Sequence, residues 1–486
     1  MNRRTFLKSA GLGLAAMTAR GAFAAAAVPA AAAPPRPNIL FLFPDQHRPD
    51  WTSLNPALPD LTPNLKALAA EGVRFSCALT PSPLCAPARA CLASGKEYAR
   101  SRVPNNAAAY PLDQPTFYSL LKAAGYRVLG CGKFDLDKPG NSWGADGQHR
   151  RTGKPSLLEA WGFTAGCDNE GKHDGENVYK KSRDRAGPYF RYLEEKGLVE
   201  AHVKNFRTFD HDYEGPSLVP DEAYADNWIA RNGLALVAAV PRGEPWFLQV
   251  NFNGPHSPMD ITKSMYEKWK GASFPPPRPA GPAAKAGKKK GGGGGEGAGS
   301  PKSRRNYAAM IANIDAWTAR FREALRERGD LGRTLIVYSS DHGEMLGDRG
   351  LGGKTRPWQA SVGVPLVVAG PGVRAGVTCP QPVTTLDLAA TFLDYAGVAR
   401  PAEMDSRSLR PFLEGRGDLP RGAVTSALGD WRVVVEGTHK LIAGEPGAGP
   451  SGYFLYDLAK DPHEETDLAD RLPDVVRRLA ALLPAG

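Results

Sequence analysis

Apolar runs and helix-like stretches alternate along most of the chain. Residues 38–43, 246–252 and 334–338 are nearly continuous apolar runs, which are typical of strands buried on both faces of a sheet. Apolar residues recur at helical spacing within residues 61–71 and 116–124, and again from Tyr307 to Leu325 before Gly329. A short strand is predicted at residues 126–129. This alternation predicts an α/β sandwich.

Two regions depart from the alternation. Residues 276–305 are rich in proline, lysine and glycine, which do not pack a core, so we predict a flexible insert there. Residues 431–435 and 453–456 predict strands joined by glycine-rich turns. We therefore expect a main domain at 34–405 and a small C-terminal subdomain, built on an antiparallel sheet, at 406–486.

The first 33 residues have the pattern of an export signal. A basic start is followed by a short apolar segment and alanines suited to cleavage. The pair Arg3-Arg4 resembles a twin-arginine (Tat) signal. The apolar segment is shorter than the ~20 residues that span a bilayer, and no later segment is long enough, so no stable membrane span is expected. The prediction is a periplasmic or secreted protein that uses the Tat export machinery.

The net charge of +10 does not indicate nucleic-acid binding. Residues 1–33 carry four basic residues and no acid, and residues 281–305 carry seven basic residues and one acid, giving +4 and +6. The remaining chain is therefore neutral. A nucleic-acid groove needs basic residues spread over folded elements, so we expect no nucleic-acid partner.

Six cysteines are present, and none has zinc-finger spacing. The pattern fixes no disulfide connectivity. They are Cys77, Cys85, Cys91, Cys131, Cys167 and Cys379.

Polar residues follow four of the predicted strands or turns. They are Asp45-Gln46, Lys133, His256 and Asp341-His342. Ligands of open α/β sheets bind beyond the carboxyl ends of the strands, so these four groups predict one shared site. Paired polar side chains at a buried strand end are costly unless they bind a cation or each other.

The segment Cys85-Ala86-Pro87-Ala88-Arg89 fits the pattern C-x-P-x-R. Together with residues 62–65 and 71–75 before it, it resembles the sulfatase family of the alkaline phosphatase superfamily. Residues 94–96, Ser-Gly-Lys, follow where that family commonly has Thr-Gly-Arg. The resemblance extends from about residue 38 to 468. It implies an alkaline-phosphatase-like sandwich with a large mixed, mostly parallel sheet between helices.

The resemblance implies that Cys85 is oxidised to formylglycine by a formylglycine-generating enzyme in the cytoplasm. Residue 85 is predicted to lie near a helix N-terminus, where free N–H groups favour an anion. A hydrated formylglycine offers one hydroxyl that attacks sulfur and a second that later expels sulfate. Arg89 matches the arginine that holds this group.

By the same resemblance, Asp45, Gln46, Asp341 and His342 are metal ligands together with residue 85. Sulfatases often have Asp-Asp and Asp-Asn at these positions, but both variants here keep donor atoms. Oxygen-rich sites suit Ca²⁺ or Mg²⁺, and the imidazole leaves Mn²⁺ open. Gln46 has the alternative role of a hydrogen bonder behind the ligands, and His47 is expected to be a packing residue.

Three further residues acquire catalytic roles from the resemblance. Lys133 and Lys354 match lysines that contact the sulfate oxygens and offset charge in the transition state. His256, in Pro-His-Ser-Pro, would contact the sulfate and protonate the leaving oxygen. Asp135 stands where many relatives have histidine, which leaves the catalytic base open.

The sequence therefore predicts a sulfuric ester hydrolase. Phosphonate monoester hydrolases and phosphodiesterases on the same scaffold remain an alternative, because they share the formylglycine and the Asp-His pair. A non-catalytic exported binding protein is the second alternative. The substrate, a sulfated glycan or small molecule, stays open. We expect specificity from residues 140–240, which contain Trp143, His149, His173 and His211.

Overall fold

The computed structural model describes residues 36–140, 143, 156–181, 187–209, 215–279 and 299–484. The predicted signal at 1–33 and most of the predicted insert lie outside these residues. His149 and His211 also lie outside them, and the side chain of His173 is not described.

A nine-stranded sheet forms the centre of the fold. Its strands are β1 (Asn38–Leu42), β2 (Val73–Leu79), β3 (Arg127–Gly132), β4 (Ala165–Asp168), β5 (Trp246–Asn251), β6 (Thr334–Tyr338), β7 (Gly363–Ala369), β8 (Val377–Cys379) and β9 (Val383–Thr384). Their order is β4-β3-β5-β1-β6-β7-β2-β8, and β9 also pairs with β2. The pairings are parallel except that β7 runs antiparallel to both β6 and β2. The predicted mixed, mostly parallel sheet is confirmed.

Helices cover both faces of this sheet. They are α1 (Pro63–Ala70), α2 (Cys85–Ser94), α3 (Phe117–Ala123), α4 (Leu157–Ala160), α5 (Lys172–Lys181), α6 (Pro188–Glu195), α7 (Val199–Phe209), α8 (Ala225–Ala238), α9 (Lys263–Trp269), α10 (Pro301–Arg328), α11 (Gln359–Val362), α12 (Asp387–Tyr395), α13 (Arg410–Leu413) and α14 (Pro473–Ala480). Phe41 of β1 packs with α2, α3 and α12, whereas its neighbour Leu42 packs with α1, α8 and α10. Successive strand residues thus pack into two separate hydrophobic cores, one on each face of the sheet, as in an α/β sandwich.

A second sheet lies near the C-terminus. Its four antiparallel strands are β10 (Ala423–Leu428), β11 (Trp431–Glu436), β12 (His439–Ala443) and β13 (Tyr453–Asp457), in that order. Val434 and Leu441 pack with α14, while Val433 and Val435 pack against Leu79 at the end of β2. The predicted small antiparallel sheet is confirmed, and the domain boundary at 405/406 remains a prediction.

The end predicted for the flexible insert is wrong. Residues 301–305 form the first turn and more of α10, because the Ser300 hydroxyl accepts from the N–H of Ser303 at 3.1 Å and Pro301 occupies the first helical turn. Arg304 is buried and donates to the Leu346 carbonyl at 2.7 Å. This arginine belongs to the folded core and not to a flexible insert.

No helix in the described part of the chain combines the length and apolar character needed to cross a membrane.

Candidate active site

The predicted site residues converge at one edge of the large sheet. β3, β5, β1 and β6 are neighbouring parallel strands, so their carboxyl ends meet at the same edge. Lys133 follows β3, His256 follows β5, Asp45 follows β1, and Asp341 follows β6. All four side chains contact at least one other predicted site residue.

Cys85 lies at the start of α2 and is 1% exposed. Its Sγ is 3.3 Å from His342 Nε2, 3.7 Å from Lys133 Nζ and 3.8 Å from Asp45 Oδ1. Burial and the Asp45 carboxylate oppose ionisation, but Lys133, Lys354 and His342 outweigh them and lower the pKa of the Cys85 thiol to about 6. The position is therefore built to stabilise negative charge on the side chain of residue 85.

Four side chains offer donor atoms that all lie within 4.8 Å of one another: Asp45, Cys85, Asp341 and His342. All four residues are buried. His342 Nδ1 lies 3.0 Å from the Gly343 carbonyl, which can only accept, so Nδ1 carries a hydrogen and Nε2 is the ring nitrogen that faces the other three. Burial and the neighbouring Asp45 raise the pKa of Asp341 against the opposing effect of His342 and Arg89.

This donor set fits a divalent cation. Two adjacent buried carboxylates need positive charge nearby; Arg89 and Lys133 supply part of it, and a cation bound among the four donors would supply more. The oxygen of Gln46 and the side chain at position 85 could complete the ligands. Oxygen donors with one imidazole match calcium, and also magnesium or manganese.

Arg89 cross-links the site from α2. Its Nε and one terminal nitrogen lie 3.0 and 2.9 Å from Asp341 Oδ2, and that terminal nitrogen also lies 3.5 Å from Asp45. The other terminal nitrogen donates to the Lys133 carbonyl at 2.5 Å and to Asn251 Oδ1 at 3.1 Å. The guanidinium is only 3% exposed and stacks over the Phe43 ring. It thus fixes both carboxylates and the backbone of Lys133.

A chain of ion pairs leads from the four donor residues of the candidate cation site towards the cleft. Lys133 forms a short contact with Asp45 and lies 3.2 Å from Asp135. Asp135 in turn lies 3.1 Å from Lys138, whose ammonium is 2.8 Å from Asp174. Burial opposes ionisation of Asp135, but the two lysines hold its pKa well below the ordinary value. Asp135 is therefore an ionised bridge between two lysines.

Lys354 links two of the other predicted residues. Its Nζ donates to Gln46 Oε1 at 2.6 Å and to His256 Nε2 at 2.6 Å. His256 Nδ1 lies 2.6 Å from the Ser257 carbonyl, so Nδ1 carries the hydrogen and Nε2 accepts. Burial and the Lys354 charge hold the pKa of His256 well below its ordinary value. The imidazole is neutral, and the proton lies on Lys354.

Sequence patterns did not identify two residues that support this arrangement. Asn251 accepts from Arg89, and Glu344 accepts from the Gln46 amide. Glu344 lies two residues after His342, so its proximity to the motif was the available signal. His47 packs as expected, with Nδ1 2.9 Å from the Tyr338 hydroxyl and Nε2 2.9 Å from the Trp51 carbonyl.

The site opens into a cleft with a volume of about 160 Å³. Its lining includes Cys85, Lys133, Lys138, His256 and Lys354. Trp143 is buried and does not belong to this lining. The structure forms no disulfide among the six cysteines, all of which lie in its described part. The cleft presents several ammonium groups, which favour an anionic ligand.

Comparisons with known proteins agree with this geometry. The sulfatase family model matches residues 37–398. Choline-sulfatase from Rhizobium meliloti (strain 1021) is 29% identical over 456 residues, which cover 90% of this chain and 83% of that protein. The similarity extends well beyond the C-x-P-x-R segment.

Solved structures share the fold. BT4656, solved in complex with its substrate D-glucosamine-2-N,6-O-disulfate, has a TM-score of 0.69 at 20% identity, covering 92% of this chain and 96% of that one. Phosphonate monoester hydrolase of Agrobacterium radiobacter has a TM-score of 0.71 at 24% identity, covering 92% and 94%. The fold is the alkaline-phosphatase-like sandwich that the sequence predicted. Because the family model covers most of the chain, the protein belongs to the sulfatase family of sulfuric ester hydrolases.

Proposed function

We propose that the protein hydrolyses sulfate esters with a formylglycine at position 85 and a divalent cation beside it. One observation carries this proposal: Cys85, within C-x-P-x-R, lies among the ligand atoms of Asp45, Asp341 and His342, all within 4.8 Å. The thiol marks the position that the aldehyde hydrate would occupy. The hydrate would supply one hydroxyl as the nucleophile and a second hydroxyl for sulfate release. A bound cation would supply positive charge beside them.

The protein's own residues prepare this centre. Arg89 holds Asp341 and Asp45 in place through contacts of 2.9 to 3.5 Å. The hydrogen on His342 Nδ1 is fixed by the Gly343 carbonyl, which aims Nε2 at residue 85. The N-terminus of α2 adds partial positive charge at the same point. Together they keep the reacting side chain oriented and anionic.

Lys133 and Lys354 would bind the sulfate oxygens. Both ammonium groups line the cleft beside Cys85. Each would donate hydrogen bonds as charge grows on the transferring group, the kind of interaction that is typically worth about 10²–10³ in kcat. Asp135 supports Lys133 by its ion pair and, as an ionised carboxylate held by two lysines, does not match the histidine of relatives in chemistry.

The proton for the leaving oxygen would come from the Lys354–His256 pair. The hydrogen-bonded proton lies on Lys354 Nζ, and His256 Nε2 accepts it at 2.6 Å. The ammonium carries three protons, so Lys354 would give one to the leaving oxygen and become a neutral amine, while a second stays in the hydrogen bond to His256 Nε2. This assigns His256 to proton transfer jointly with Lys354.

We propose calcium as the cation because oxygen donors outnumber nitrogen donors at the cluster. Magnesium and manganese fit the same donors less specifically. Metal analysis of the purified protein, followed by chelation and reconstitution with each ion, tests the assignment. Full activity after complete metal removal would refute the role of a cation.

The substrate proposed is a sulfated glycan or a sulfated small molecule. Lys138 and Lys172 join Lys133 and Lys354 in the cleft lining, and Asp174 is the one acidic residue in that described lining. Choline-sulfatase and the disulfated glucosamine complex show two kinds of sulfate ester among related proteins. A panel of sulfated sugars, aryl sulfates and alkyl sulfates would separate these classes.

Phosphonate monoester hydrolysis is the second candidate function. The fold similarity to the Agrobacterium enzyme favours it, at a TM-score of 0.71. Matched aryl sulfate and aryl phosphonate substrates, compared by kcat/KM, decide between the two. A wild-type protein that binds a sulfate ester without hydrolysing it, and a Cys85→Ala variant that binds the ester equally well, would instead support the non-catalytic binding protein.

We further propose export by the Tat machinery after modification by a formylglycine-generating enzyme. The support is the leader sequence and the C-x-P-x-R segment. Mass spectrometry of the peptide containing residue 85 tests for an aldehyde in place of the thiol. Sequencing of the mature N-terminus from the periplasmic fraction tests for cleavage near residue 33.

A further inference from the structure

Next to the candidate cation site lies a buried carboxylate that contacts two parts of the active site. Glu344 is 2% exposed. One of its oxygens forms a short hydrogen bond with Gln46 Nε2. The other accepts from the backbone N–H of Leu346 at 2.9 Å and of Gly353 at 2.6 Å. Glu344 thus joins the segment that carries Gln46 to the loop that carries Lys354.

The partners of the Gln46 amide determine its orientation. A carboxylate can only accept and an ammonium can only donate. The Gln46 NH₂ group must therefore face Glu344, and its carbonyl oxygen must face Lys354, whose Nζ lies 2.6 Å away. The oxygen then lies on the side of Lys354, where the proposed cation and sulfate ester would bind.

The Gln46 main chain is fixed by other contacts. Its φ of 76° places it in the left-handed region, its N–H donates to Asp341 Oδ1 at 2.9 Å, and its carbonyl accepts from the Tyr307 hydroxyl at 2.6 Å. Rotation of the side-chain amide is the freedom that these contacts leave. Glu344 removes it.

Glu344 also constrains the loop before Lys354. Its bond to the Gly353 N–H acts on the residue next to Lys354, and Met345 N–H closes the same loop on the Gly353 carbonyl at 2.7 Å. Rotation of Gln46 and movement of Lys354 are therefore restricted by the same carboxylate.

We propose that Glu344 is a positioning residue that turns the Gln46 oxygen towards the cation and Lys354. This inference rests on the proposed function, because it takes Gln46 as a ligand of the divalent cation. It explains how a neutral amide can serve where many sulfatases have a second aspartate. Only the oxygen of the amide can bind a cation. The Glu344 carboxylate holds the NH₂ group on the opposite side, so the oxygen faces the cation.

The test is the Glu344→Gln variant, with calcium affinity measured by titration calorimetry on the full chain. If the oxygen of the new amide at position 344 keeps the two backbone N–H groups, its NH₂ faces Gln46, and the Gln46 amide must turn over. The NH₂ of Gln46 would then point at the cation and at Lys354. We expect calcium affinity to fall about 10- to 100-fold, the range seen when a group that orients a metal ligand is lost.

A double variant, Gln46→Glu with Glu344→Gln, provides the rescue. The new carboxylate at position 46 would accept from the new amide at position 344 and still present an oxygen to the cation and Lys354. We expect calcium affinity to return to at least the wild-type value. A merely structural role of Glu344 would leave the double variant as weak as the single one.

Glu464→Gln is the matched control. Glu464 is also 2% exposed and accepts from Lys440 at 2.6 Å and from the Gln359 N–H at 2.7 Å, away from the candidate cation site. We expect unchanged calcium affinity in this variant. Equal affinity of the wild type and Glu344→Gln would overturn this inference alone, whereas a wild type that binds none of Ca²⁺, Mg²⁺ and Mn²⁺ would overturn the proposed function with it.

Discussion

Replacing Arg89 by methionine should destabilise the metal-free protein and increase its response to calcium. Methionine fills a similar length of the buried channel but brings no charge and no donors. It removes the contacts to Asp341 at 2.9 and 3.0 Å and those to the Lys133 carbonyl and Asn251. Asp341 then loses its guanidinium partner while buried, and Asp45 keeps only its ion pair with Lys133.

The magnitude follows from the burial of this arginine. Removing one partner of a buried ion pair typically costs about 3–5 kcal/mol. Unfolding entropies average roughly 2.1 cal/mol/K per residue, so a unit of about 450 residues, Arg36–Gly486, has an unfolding entropy near 0.95 kcal/mol/K. The expected loss in Tm is therefore about 3–5 °C.

The assay is thermal unfolding with chelator and with excess calcium. A cation between the two carboxylates replaces part of the lost charge, so calcium should raise the Tm of the variant more than that of the wild type. Arg322→Met is the control, since Arg322 pairs with the exposed Glu71 at 2.6 Å and such pairs contribute about 0–1 kcal/mol. Equal Tm values of the metal-free Arg89→Met variant and the metal-free wild type would refute the reasoning.

Two further variants test other parts of the site, and a third tests the buried carboxyl of Glu170, two residues after β4. Lys354→Met should lower kcat/KM for an aryl sulfate about 10²–10³-fold, with little change in Tm, because it removes one donor to the sulfate and the residue is only partly buried. Asp135→Asn should lower KM, because the net charge of the cleft becomes more positive by one. It should also lower kcat, because Lys133 and Lys138 lose the carboxylate that they share. Unchanged values of both KM and kcat would contradict the role of Asp135 as a bridge between the two lysines. Burial raises the pKa of Glu170 from 4.5 to about 7, so the folded state keeps a proton that the unfolded chain releases, and wild-type Tm should fall as pH rises from about 4.5 to 7. Glu170→Gln should lack that part of the pH dependence in melting curves recorded across the same range.

The sequence was most informative where one physical effect dominates. Continuous apolar runs located β1, β5 and β6 within a residue or two, because strands buried on both faces leave no polar position. Helical spacing located α10, and the glycine after Arg328 marked its end. The start of α10 was missed because a composition rich in lysine and glycine concealed the serine cap at residue 300.

Site residues were predictable where a strand end or a motif placed them. Asp45, Cys85 and His342 could be placed in one site from the motif and from the positions of the two other residues after predicted strands. The roles of Asn251 and Glu344 depend on which atoms they face across the fold, and no spacing in the chain encodes that. Asp135 was recognised as a departure, but its two lysine partners emerged only from the structure.

The burial of Cys85 would set the order of the proposed modification and folding. The proposed oxidising enzyme could not reach this segment once α2 has packed, so it would have to act while the chain is still extended. His342, which closes over the thiol, is synthesised 257 positions later. At translation rates of roughly 5–20 residues per second, about 13–50 s pass between the synthesis of Cys85 and that of His342, and the proposed oxidation would fall in this interval. Expression conditions that outpace the oxidising enzyme would then yield a stably folded but permanently unconverted protein.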